Sequence, residues 1–196
     1  MSWELIIEHI YLVTASCAAV ILLGVPLGIL SYLYPRVGRV ILSTVDLLQT
    51  VPVLAVMGLL MTVFGANSLT AILSMVLYLL LPVVRNTNTG LEAVDPVLKE
   101  AADAMGMSKA RKLRLVELPM AFPFILMGIR IAAVTSIGVA VFATFVGGGG
   151  LGKLLYRGIR IQNFKLILQG TLVLMAASAI LDYLLSLLEK RIGGNQ

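Results

Sequence analysis

Seven residues after a long apolar run, Gly147-Gly148-Gly149-Gly150-Leu151-Gly152-Lys153, come within one side chain of a phosphate-binding loop. Such a loop cradles phosphates with backbone N–H groups and holds magnesium through a Ser or Thr after the lysine, and Leu154 cannot take that role. The run also satisfies Gly147-x-Gly149-x-x-Gly152, the glycine spacing of dinucleotide sites. Both motifs need a preceding strand in a βαβ unit. What precedes this one is an apolar stretch long enough to cross a bilayer, so nucleotide chemistry is rejected. The glycines read instead as a tight exit from that stretch, letting a following helix from Leu151 to Gly158 pack closely. Gly147, Gly148, Gly149, Gly150 and Gly152 are then candidates for contact with a partner on the outer side.

Catalytic constellations are missing from the sequence. Cys17 and His9 are each the single residue of their kind, and no Ser/His/Asp set or metal-ligand spacing is present, so the chain is read as a non-enzyme. Charge inside apolar runs is the other candidate chemistry: Asp46, Gln49, Arg130, Gln169 and Asp182 all fall there. A charged side chain at the bilayer centre costs about 2.5–3.5 kcal/mol on insertion scales, so each should face protein or water. Arg130 lies roughly 16 Å beyond Pro119 by helical rise, while Asp46 and Asp182 are each about 9 Å from the inner ends of their runs. Arg130 is expected to pair with one of these aspartates, fixing helix register or lining a path.

These residues need a membrane to make sense. Of 196 residues, 59% are hydrophobic and 13% charged, more apolar surface than one soluble core of this size can hide. The expected spans are about 10–33, 40–64, 69–88, 120–146 and 166–188, giving an all-α integral membrane protein with one domain over 1–196. The first span is read as retained: a secretory signal wants a basic start, and the charges here are Glu4 and Glu8. With the N-terminus outside, the inner segments carry Arg36, Arg39, Arg85, Lys99, Lys109, Arg111, Lys112, Arg114, Lys190 and Arg191. The outer ones carry Lys153, Arg157, Arg160 and Lys165. Ten against four predicts N-out, C-in. Pro26, Pro52, Pro82 and Pro123 inside the spans read as tolerated kinks. Gly24-x-x-x-Gly28 reads as a close-packing face. The net charge of +5 reflects topology, because no basic run is interleaved with aromatics and nucleic acid is not expected.

Between the third and fourth spans lies a polar loop of about 89–118 with strong helical grammar. Asp95 is a fair N-cap and Pro96 fits the first helical position. The run Val97-Leu98-Lys99-Glu100-Ala101-Ala102-Asp103-Ala104-Met105 follows, and Gly106 supplies a left-handed stop. Val97, Ala101, Ala104 and Met105 share one face, with Glu100 and Asp103 at its rim. Ser108 should cap a second, basic helix that ends at Pro119.

Glu100-Ala101-Ala102, Gly106 and Val116-Glu117-Leu118-Pro119 stand in a demanding register. It resembles the EAA loop of membrane subunits in ATP-binding-cassette importers, except that Val116 stands where isoleucine is usual. The likeness extends over most of the chain. Gln49-Thr50-Val51-Pro52, Leu81-Pro82 followed by Arg85-Asn86-Thr87, Val94-Asp95-Pro96, Gly106-Met107, Gly128-Ile129-Arg130 and Gly147 through Gly152 look like permeases of osmoprotectant importers.

That resemblance implies the five-span fold shared with methionine importers. It implies a coupling element of Glu100, Ala101, Ala102, Asp103 and Gly106 that docks a cytoplasmic ATPase. Expected partners are ATPase subunits, a second permease copy or a sister permease, an extracytoplasmic substrate-binding protein and the lipid of the inner membrane. The chain itself should need no cofactor, ATP being bound by the partner. The implied cargo is a small quaternary amine of the glycine betaine, choline or carnitine class. An amino-acid importer is the alternative, and an ion-coupled secondary transporter the reading from a different class. Inverted repeats, the usual mark of such carriers, are not evident.

Overall fold

The computed structural model describes residues 3–193, with side chains through Glu189. Among the described residues, four helices or helical runs are long and apolar enough to cross a membrane: α1 (Trp3–Leu33), α4 (Ser68–Glu92), the run Lys109–Val146 and α9 (Phe164–Gly193). The second expected span is broken. In place of one kinked helix over 40–64 there are α2 (Pro35–Thr50) and α3 (Val53–Phe64), bent by 98°. Their 16 and 12 residues rise about 24 and 18 Å, so neither alone covers a hydrocarbon core of about 30 Å.

Pro52 causes the break. It has no N–H to continue α2 and forces Val51 to extended backbone, φ −79° and ψ 130°. Helix resumes with Pro52 accepting from the Ala55 and Val56 N–H groups. Pro26, Pro82 and Pro123, in contrast, lie inside unbroken helices. Pro82 is clasped by tertiary packing, its carbonyl backed directly by Gly128, whereas Thr50 and Pro52 are exposed. Exposure alone does not decide the outcome, since Pro26 is exposed as well and α1 continues through it.

α4 is the central post. α1 runs parallel to it: Gly24 abuts Val83 and Gly28 abuts Thr87, where an added Cβ would come within 2.5 Å of the threonine Cβ. The Gly24-x-x-x-Gly28 face is therefore an intrachain seam. On the other side α7 (Leu118–Val139) runs antiparallel to α4, with Gly90 against Phe124 and Gly128 against Asn86. Leu12, Val20, Met75, Leu79, Val83 and Val84 form the core of this three-helix contact. Ser31 at its inner end donates to Asn88 Oδ1 at 2.7 Å.

The outer end of the bundle closes on the glycine run. α7 tightens into a 3₁₀ turn, Ala140–Val146, before α8 (Gly152–Arg160) folds back beside α9. Gly147, Gly149 and Gly150 take φ of 77°, 85° and 79°, conformations that L side chains rarely adopt. The Gly152 Cα faces the Val141 carbonyl so closely that a Cβ would collide.

One end of the bundle thus carries the N-terminus of α1, the turn before α4 and the glycine run, and the other carries the 89–118 loop. An Ala110→Cys thiol in a Cys17→Ser background should react only with reagents that enter the cytoplasm, and an Ala66→Cys thiol from outside. Both positions are exposed and neither caps a helix. The reverse labelling would overturn the assigned sidedness.

Candidate functional site

The 89–118 loop folds as two short helices set at a fixed angle. Asp95 accepts from the Val97 N–H at 2.8 Å to start α5 (Pro96–Ala104). The end of α5 is a Schellman motif: Met107 N–H reaches the Ala102 carbonyl at 3.1 Å and Gly106 N–H the Asp103 carbonyl at 2.9 Å, with Gly106 at φ 71°. Ser108 then accepts from the Arg111 N–H and opens α6 (Lys109–Lys112).

The chain does not stop at Pro119, as the sequence pattern predicts. α6 passes through a π turn, Leu113–Glu117, straight into α7, and the Leu118 N–H bonds back to the Leu113 carbonyl. A wider turn is how a helix admits a proline whose missing N–H and bulky ring disturb the preceding turn. The result is one helical run, Lys109–Val146, from the loop to the far end of the bundle.

Three links brace α5 onto that run and its neighbours, and a fourth ties those neighbours together. Lys112 Nζ holds both Asp103 oxygens at 2.7 and 2.8 Å. Lys99 Nζ donates to the Leu91 carbonyl at the end of α4 and lies 5.2 Å from the centroid of the Tyr32 ring on α1. Tyr32 in turn donates to Glu117 Oε1 at 3.1 Å, with Glu117 itself 3% exposed. The loop is thereby tied to α1, α4 and α7 at once, the contiguous packing that carries a displacement through a fold.

The outward face of α5 has nothing on it. Val97 and Met105 are each 67% exposed, and Ala101, Ala104, Glu100 and Gly106 are exposed as well. No heavy atom lies within 4 Å of where a Gly106 Cβ would be. Two expected members of the face differ. Ala102 is 1% exposed and turns into the protein, its carbonyl spent on the helix stop. Asp103 is committed to Lys112, so it fixes the loop angle.

The intramembrane charges sort into two separate clusters. Arg130 on α7 donates through Nε and Nη2 to the two Asp182 oxygens at 2.7 and 2.9 Å, and through Nη1 to Glu189 at 2.8 Å. Asp46 lies elsewhere and pairs with Arg85 at 2.5 Å, joining α2 to α4, so the expectation for Asp46 is corrected. The reason is the break at Pro52, which gives α2 its own course along α4. Glu189 escaped the sequence reading although it stands seven residues, two turns, beyond Asp182 on the same face of α9.

The glycine run is also corrected as an external contact. Gly148, Gly149, Gly150 and Gly152 are buried by this chain's own Ala71, Ala143, Glu8, His9 and Val141, and only Gly147 is exposed. Glu8 accepts the Gly150 N–H at 2.7 Å and faces Lys153 at 3.1 Å, clamping the run to α1. The surface offered outward here belongs to α8, with Lys153, Arg157 and Arg160 exposed.

A braced, exposed helix at the inner end of a bundle of apolar helices marks this chain as a helical membrane component. The chain belongs to the family of binding-protein-dependent transport system inner membrane components, which it matches over residues 21–194. It is 39% identical to the osmoprotectant import permease protein OsmW of Salmonella typhimurium, over 95% of this chain and 89% of that one. It is 41% identical to the glycine betaine/carnitine/choline transport system permease protein OpuCD of Bacillus subtilis, over 86% of this chain and 74% of the relative. Among solved structures, the inward-facing MetNI methionine ABC transporter superimposes with a TM-score of 0.87, covering 98% of this chain and 99% of that one at 20% identity. That likeness establishes the fold. As an inner-membrane component of such a system, the protein is a transporter subunit working with an ATPase and a binding protein.

Proposed function

We propose that the chain is the membrane-spanning permease of an ATP-driven importer for small quaternary-amine osmoprotectants of the glycine betaine, choline and carnitine class. Supporting the cargo is the run of relatives at 32–41% identity over most of the chain, each named for an osmoprotectant, glycine betaine, carnitine or choline. Physics agrees in kind: a fixed cation favours a path of apolar, aromatic and neutral polar groups, and cationic residues in these spans are held by carboxylates.

The uncovered face of α5 around Val97, Ala101 and Met105 is the seat for the ATPase, which binds the ATP. Closure of two ATPase subunits would swing α5, and the Lys112–Asp103 and Lys99–Leu91 links would carry the swing into α7 and α4. The second permease is a copy of this chain or a sister, and the binding protein delivers cargo to the outer end near α8.

Uptake by the reconstituted complex tests the cargo. Saturable, ATP-dependent import of radiolabelled betaine, choline or carnitine is expected. Import of an amino acid that none of the three suppresses in excess would end the cargo assignment and leave the permease intact. Uptake driven by an ion gradient without ATP would end both.

A further inference from the structure

An apolar groove of about 620 Å³ runs along the seam of α1 and α7, with Pro26, Ile29 and Ile125 in its lining and Leu22 and Phe122 on its exposed walls. Its inner mouth is marked by Arg114, which also lines an adjoining pocket of about 520 Å³ with Arg111 and Ser108. Neither arginine is paired with a carboxylate among the described residues, and the nearby acid, Glu117, is buried and bonded to Tyr32.

Length and charge together select the occupant. From Leu118 to Ile129 the α7 wall of the groove rises about 16 Å, close to the roughly 15 Å of one leaflet's hydrocarbon. Arg114 precedes that wall by one helical turn, so a leaflet whose chains fill the groove has its headgroups beside Arg114. Guanidinium groups bind phosphate oxygens in a fixed fork, and basic pockets between membrane helices on the cytoplasmic side suit anionic headgroups.

We propose that the α1–α7 groove is a binding site for an anionic phospholipid of the cytoplasmic leaflet, its acyl chain along the groove and its phosphate between Arg114 and Arg111. The lipid sits where α1, α7 and the coupling loop converge.

The test uses the assembled complex of permease and ATPase, equilibrated with phosphatidylcholine vesicles containing phosphatidylglycerol and then read by native mass spectrometry. The wild-type complex should retain phosphatidylglycerol over phosphatidylcholine. Arg111→Gln with Arg114→Gln should cut that preference roughly thirtyfold, as expected for two basic contacts near a membrane surface. Leu22→Trp, which fills the groove from its exposed wall, should lower retention of both lipids. Arg36→Gln with Arg39→Gln, another cytoplasmic basic pair, should change neither. Undiminished retention in the first double variant overturns the site, and so does an equal loss in the control pair. Loss of the ATPase from the first double variant would assign the arginines to the protein interface instead. A disulfide between Leu22→Cys residues of two copies would show that protein, not lipid, covers the groove.

Discussion

Gly106→Val is expected to insert and accumulate normally, yet to import substrate at about a tenth of the normal rate or less. Gly106 sits at φ 71°, where an L residue costs about 1–2 kcal/mol and a β-branched one more. No neighbour lies within 4 Å of the added Cβ, so the penalty is conformational and touches no span. Relieving it would break the Schellman pair that fixes the end of α5 and tilt the Val97–Ala101–Met105 face away from its partner. A 1–2 kcal/mol bias against the seated loop lowers its population by about fivefold to thirtyfold. A series separates this cause from bulk: Gly106→Asn, which tolerates the left-handed region, should transport nearly normally, and Gly106→Ala should fall between. Substrate-stimulated ATP hydrolysis by the complex should follow the same order. Normal transport and stimulation by the valine variant at normal abundance would refute the coupling role.

The loop was legible in the sequence because its signals are local. Asp95, Pro96, Gly106 and Ser108 act on backbone groups within a few residues of themselves, and each does in the structure what its type predicts. The apolar runs were legible for a similar reason, since bilayer thickness sets their length. What the sequence concealed depends on distant neighbours. Pro52 and Pro82 look alike in sequence, yet one breaks a span and the other, backed by Gly128 across a helix seam, does not. Likewise Pro119 reads as a stop, but a π turn absorbs it within a helix already held at both ends. Ala102 belongs to the motif by position and to the interior by geometry. Asp46 and Asp182 were equivalent by depth alone, and only the separate course of α2 assigned Asp46 to Arg85. The Tyr32–Glu117–Lys99 cluster left no periodic trace, as it joins three elements through single side chains.

Neutralising Arg130 should damage assembly of the α7–α9 pair. Its guanidinium is the shared donor to Asp182 and Glu189, so Arg130→Gln leaves two carboxylates on α9 without their cation. Carboxylates on a membrane helix that lose their cation are disfavoured there, so the loss falls on the α7–α9 contact that the cluster joins. The abundance of folded permease, read by size-exclusion profile and thermal stability in detergent, should fall sharply. Asp182→Asn added to Arg130→Gln should restore part of the loss, and Glu189→Gln added to both should restore more. The order matters, because Asp182 takes two of the three hydrogen bonds and Glu189 one. Asp46→Asn should rescue nothing, since its charge is balanced by Arg85 on α4. Strictly additive losses through the double and triple variants would show that the three residues act independently. The α7–α9 register would then have to rest on apolar packing alone.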